Sequence, residues 1–210
     1  MRPAVVAFSF ALLLPSALLA QQSDEYRPEV AITMPRVGPI APLLIGEQHL
    51  ESSGLFPVER TLGVGFTTAT LFAATRFAVE ARYVTAGATV EHRYVPIAFT
   101  TVPLPAGFEI RNRARVELRD IAGTWSQRWQ DRAALGHDVD ILGRSAFPYV
   151  QGDISYDSRF GELNRRERTI GIRVPVVAGA SVDVFATRQT DNRKPAPRLD
   201  FWGTIFRIAL

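Results

Sequence analysis

The chain has 210 residues, of which 47% are hydrophobic, with a mean hydropathy of +0.04 and a formal charge of +3. That length and apolar content suit one domain with a full core. The absence of cysteine excludes a disulfide framework, a thiolate metal site and a cysteine nucleophile. The basic excess is carried almost wholly by arginine, Lys194 being the sole lysine, and it is spread at alternating positions. A clustered basic patch with interleaved aromatics, as nucleic-acid binding needs, is missing, so nucleic acid is not expected as a partner.

Met1 and Arg2 give a short positive start, Ala4 to Leu14 an apolar stretch, and Pro15 a break before Ser16-Ala17-Leu18-Leu19-Ala20. The polar run Gln21-Gln22-Ser23-Asp24-Glu25 follows. That order is the order of a secretory signal peptide over residues 1–20, cut after Ala20, and it leaves 21–210 as the mature domain. Beyond it no apolar run approaches the ~20 residues that a helical membrane span requires.

From Gln21 onward, short stretches rich in Val, Ile, Thr, Phe and Tyr alternate with clusters of Gly, Pro, Asn and Asp, the punctuation of an all-β chain. Eleven strands are predicted, near Glu29–Arg36, Leu43–Glu51, Arg60–Thr70, Arg76–Thr85, Val90–Thr101, Phe108–Asp120, Trp125–Asp138, Phe147–Asp157, Arg165–Val177, Ser181–Gln189 and Arg198–Leu210. The sharpest is the sixth. Phe108, Ile110, Asn112, Ala114, Val116 and Leu118 share one face, and Glu109, Arg111, Arg113, Arg115, Glu117 and Arg119 the other. A period of two held over a dozen residues is a strand, and its length matches the ~9–11 residues that cross a bilayer better than the ~5–6 of a soluble sheet. The fold class expected is therefore all-β, an antiparallel transmembrane β-barrel of 10 to 12 strands. Bacterial single-chain barrels have even strand numbers, so eleven implies ten or twelve, with Glu29–Arg36 and the stretch Asp138–Ser145 the doubtful places.

An arginine facing lipid near the bilayer centre costs about 2–4 kcal/mol. The charged face of the sixth strand must then point inward and its apolar face outward. Trp125, Trp129, Tyr156 and Trp202, near strand ends, suit interfacial girdles or ordinary packing equally. The last strand carries Trp202, Thr204, Phe206, Ile208 and Leu210 on one face. Outer-membrane barrels resemble one another in such an amphipathic final strand, which the barrel assembly machinery reads, and this resemblance implies that machinery and outer-membrane lipids as partners.

The run Glu91-His92-Arg93-Tyr94, the Arg111 to Arg119 segment, Arg128-Trp129-Gln130-Asp131-Arg132, Pro148-Tyr149-Val150 and Asn164-Arg165-Arg166-Glu167-Arg168 occur in that order. Together they resemble the bacterial family called domain of unknown function twenty-four-ninety. The resemblance covers Glu91 to the C-terminus and implies an exported barrel, without implying catalytic residues.

Within the lumen the residues expected to form a charge network are Glu91, Arg93, Arg111, Arg113, Arg115, Glu117, Asp153, Asp157, Glu167 and Arg173, with Arg128, Arg132 and Glu109 as neighbours. Two readings are open for it. Rings of arginine attract anions in anion pores, whereas arginines and carboxylates that pair fill and close a narrow barrel. The second is favoured, giving an exported outer-membrane barrel, non-enzymatic, structural or weakly pore-like. A catalytic alternative rests on His49, Ser53 and Glu47, which could serve an outer-membrane lipid hydrolase. Such residues lie close in sequence often by chance, and no Gly-x-Ser-x-Gly elbow is present. A third alternative is a soluble periplasmic barrel that binds a small ligand. His49, His92 and His137 lack metal-ligand spacing, and neither metal nor cofactor is expected.

Overall fold

A computed structural model describes residues 23–51, 57–70, 74–141, 143–192 and 198–210. The segment predicted as a signal peptide, Met1 to Ala20, lies outside the described residues. The strands are β1 (Ser23–Thr33), β2 (Ile40–Glu51), β3 (Pro57–Thr68), β4 (Thr75–Ala86), β5 (Thr89–Pro103), β6 (Phe108–Ile121), β7 (Thr124–His137), β8 (Val139–Ile141), β9 (Arg144–Asp157), β10 (Glu162–Val177), β11 (Ala180–Asp191) and β12 (Arg198–Ala209). Each is paired with its sequence neighbour in an up-and-down meander, except that β8 only extends the hairpin into β9, while β7 and β9 pair directly. The wall thus has eleven strands.

The transmembrane barrel class holds, and one rule used to refine the strand count does not. In an up-and-down wall with an odd count the first and last strands run the same way. They close here as a parallel seam, with Tyr26 opposite Trp202 and Val30 opposite Phe206. The doubtful first strand is real but starts earlier, at Ser23, because its pairing is supplied by both β12 and β2. The doubtful stretch around Asp138–Ser145 is the short hairpin formed by β8 with Arg144–Ala146 of β9.

Side-chain alternation sets the faces. Leu62 is 68% exposed and Val64 58%, beside inward Thr61, which is buried. Ile110, Trp125, Trp129, Leu135, Val150, Ile154 and Ile170 are likewise exposed, while Glu91, Glu117, Arg119, Asp153, Asp157 and Asp183 are buried. Apolar outside and charged inside is the reverse of a soluble barrel, because here the solvent of the outer wall is hydrocarbon. This distribution favours the membrane barrel over the soluble periplasmic alternative.

At two inward glycines an aromatic ring fills the space that a side chain would take. The Phe147 ring covers Gly136 and the Tyr149 ring covers Gly171, and a Cβ added at either glycine would sit 2.3 or 2.5 Å from the ring. These pairs narrow the bore while removing side chains that would collide.

The assignment of faces has a direct test. Spin labels on single cysteines at Ile110, Ala114 and Val116 should be reached by a lipid-soluble quencher, and those at Arg113 and Arg115 should be shielded. Equal quenching at odd and even positions would mean that β6 does not face lipid.

Candidate functional site

The barrel lumen gathers all ten residues of the expected network, because each occupies an inward position of β5, β6, β9 or β10. The rim that carries the turns after β4, β6 and β9 is called the upper rim, and the opposite one, where Leu210 lies, the lower rim.

Near the upper rim the charges form a continuous chain. Glu91 accepts from Arg93, Nε at 2.9 Å and Nη2 at 3.0 Å, and from Arg119 Nη2 at 2.9 Å and Nε. Arg119 reaches on to Asp157 at 3.3 Å, and Arg128 donates to the same oxygen at 3.3 Å. Arg159 closes over Asp157 from the turn, its Nη2 donating at 2.6 Å and its own backbone N–H at 3.0 Å. That hydrogen bond holds the Arg159 guanidinium above its ordinary range. Arg128 also lies 3.6 Å from Glu117, which pairs with Arg115 at 2.8 Å, and Arg93 lies 3.7 Å from Glu59. Asp157 has no exposed side-chain surface. A carboxylate so enclosed stays charged only with charge-assisted donors around it, which β6, β7 and the turn after β9 here supply.

At mid-height Asp153 is held by Gln130 Nε2 at 2.7 Å and Arg132 Nε at 3.0 Å, with Glu167 3.9 Å from Arg132. On the other side of the lumen Arg82 pairs with Glu80 at 2.6 Å. Arg113 differs from its neighbours. It stands directly opposite Arg132 across the β6–β7 ladder, its Nε is buried without an acceptor, and it has no ion pair among the described residues.

Toward the lower rim Asp183 anchors a second cluster. It accepts from Arg207 Nη1 at 2.7 Å, Arg173 Nη2 at 3.1 Å and the Tyr149 hydroxyl at 2.9 Å. Arg111 pairs with Glu109 and stacks over Phe147 at 3.7 Å. Arg76 hydrogen-bonds Thr67 and lies 4.0 Å over the Phe99 ring. The geometry is that of cations held against aromatic faces.

Of the catalytic alternative, His49 Nε2 lies 2.9 Å from Glu47, both facing the lumen, and Glu25 lies 3.9 Å from the other ring nitrogen. Ser53 lies outside the described residues. Sequence reasoning missed Asp183, Arg207, Glu80 and Arg82. Their strands show the same alternation, Arg76-Phe-Ala-Val-Glu-Ala-Arg82 for example, but with single charges between apolar and small residues, so the inward set was less visible. No group of three or more His, Cys, Asp or Glu that could hold a metal occurs among the described residues.

A closed wall of tilted strands, apolar outside and lined by paired charges, defines a transmembrane β-barrel. Among solved structures the chain is similar to LpxR from Salmonella typhimurium, an outer-membrane barrel. The likeness has a TM-score of 0.53 at 8% identity and covers 86% of this chain and 87% of that one, so it concerns the fold. No protein-family model matches the sequence, and no curated protein matches it.

Proposed function

We propose that the chain is an exported outer-membrane protein without enzymatic activity, a structural or weakly conducting barrel whose lumen is filled by its own ion pairs. The observation that carries this reading is the upper network, in which Glu91, Asp157 and Glu117 tie together Arg93, Arg115, Arg119, Arg128 and Arg159. Side chains committed to one another in this way leave few free charges to select or drive a permeant ion. The barrel fold resembles that of an outer-membrane protein. Residues 1–20 supply the proposed export signal, and β12 supplies the proposed contact with the barrel assembly machinery. The quoted arginine and glutamate motifs sit largely at inward strand positions, which supports the proposed kinship with the family called domain of unknown function twenty-four-ninety.

Expression in a Gram-negative host tests this reading. Mature protein should begin near Gln21 and sediment with outer membranes. Membrane-bound protein that retained Met1 would remove the signal-peptide part, and recovery in the soluble fraction would remove the whole.

The His49–Glu47 hydrogen bond favours one second reading, a lipid hydrolase, since a carboxylate that orients an imidazole is half of a general-base pair. Release of fatty acid from phospholipid or lipid A by the pure protein, abolished in His49→Ala, would establish it.

A further inference from the structure

The outer wall has one feature that a plain lipid-facing surface would lack. Along one hydrogen-bonded row, Arg168 of β10 is followed by Gly152 of β9, Ala133 of β7 and Asn112 of β6. The next row toward the lower rim is Ile170, Val150, Leu135 and Ile110. On the other side stand Arg166, Ile154 and Asp131. Between Arg168 and Asn112 the row therefore has almost no side chain, and it forms a trough with an aliphatic wall on its lower-rim side, part of a groove of about 470 Å³. Three strand spacings of about 4.8 Å make it roughly 14 Å long. A Cβ added at Gly152 would meet nothing within 4 Å, so the trough floor is open.

The trough is charged at one end. Arg166 and Arg168 are exposed on the lipid-facing wall and have no ion pair among the described residues, unlike Arg188 beside them, which is satisfied by Asp200 at 2.8 and 2.9 Å. At the far end Asn112 Nδ2 is taken up by Asp131 at 2.8 Å. An unpaired guanidinium next to hydrocarbon is costly, and an anionic headgroup removes that cost. Because strands tilt by about 35–45°, a row perpendicular to them runs obliquely across the membrane. Arg166 and Arg168 are the fifth and seventh of the sixteen residues of β10 counted from the upper rim, and Asn112 is the fifth of fourteen in β6 counted from the lower rim, so the row descends from the arginines toward the lower rim.

We infer that this trough is a binding site for a phosphate-bearing lipid. The phosphate is held by Arg166 and Arg168, and an acyl chain lies over Gly152 and Ala133 against Ile170, Val150, Leu135 and Ile110. Charge complementarity fixes the occupant as anionic, and the adjoining apolar floor fixes it as a lipid rather than a free ion. The inference rests on the proposal that the wall faces lipid and is independent of the state of the lumen.

Native mass spectrometry of detergent-purified protein, loaded with equal amounts of phosphatidylglycerol and phosphatidylcholine of the same chain length, tests the site. The wild type should retain one phosphatidylglycerol in at least tenfold preference. Arg166→Gln with Arg168→Gln should abolish the preference, while Gly152→Leu, which fills the floor without a clash, should lower retention of the bound lipid with both arginines intact. Each variant is first checked for the wild-type heat-dependent gel shift. Equal retention of the two lipids by the wild type, an unchanged preference in the double glutamine variant, or unchanged retention in Gly152→Leu overturns the site. Protein that stays soluble without detergent would instead overturn the membrane reading on which it rests.

Discussion

Asp157→Asn is expected to lower the stability of the folded barrel by about 3 kcal/mol, the lower end of what removing one partner of a buried ion pair costs. The substitution keeps the shape and removes the charge that Arg119, Arg128 and Arg159 share. Asp157 is fully enclosed, so neither water nor a second carboxylate can take over all three guanidinium groups, and Glu91 and Glu117 are already engaged. The control is Asp200→Asn, which breaks the single outward pair of Arg188 near the upper ends of β11 and β12, where Arg188 is 55% exposed and can reach the interface, and it should cost less stability. Urea unfolding in lipid vesicles, followed by tryptophan fluorescence, reads both. Equal midpoints for the two variants would mean that the upper network adds no more than a surface pair does.

Much of this architecture is legible in the sequence, for a physical reason. In the sixth predicted strand a lipid-facing set and a lumen-facing set alternate without a break from Phe108 to Arg119, so period, length and facing all follow from one segment. Where one set is diluted, legibility falls. On β1 inward Glu29 lies among Ala31, Val30 and Ile32, so alternation marks the strand only from Glu29 although it starts at Ser23. The parallel seam could not be read at all, because the pairing of β1 with β12 is set by the closure of the whole wall and by no local pattern. The lumen is similar. Alternation put Arg113 and Arg115 on the inner face, but which acid each would meet depends on register between strands and side-chain reach. Arg115 meets Glu117 on its own strand, as periodicity allows. Arg113 faces Arg132 and has no ion pair among the described residues, so the pairing expected across the network does not extend to it.

That difference between two adjacent arginines gives the second large effect. The space left inside the lumen is about 780 Å³. A strand of 14 residues such as β6, rising about 3.3 Å per residue and tilted by about 40°, stands roughly 35 Å tall. Along that height the lining side chains are committed to ion pairs with one another, which leaves few free charges to drive a permeant ion. The unmodified protein in planar bilayers should accordingly show little conductance. Arg115→Ala frees Glu117 from its nearest partner and widens the bore at mid-height, so it should both destabilise the barrel and admit a cation-preferring current. Arg113→Ala widens the same level but removes a cation that directly opposes Arg132, and like charges facing across a ladder are unfavourable. It should conduct more than the wild type while unfolding at the same urea concentration or a higher one. Conductance and stability then move together at residue 115 and apart at residue 113. Large, anion-selective currents from the unmodified protein would refute the closed lumen and make the arginine ladder a conduction path.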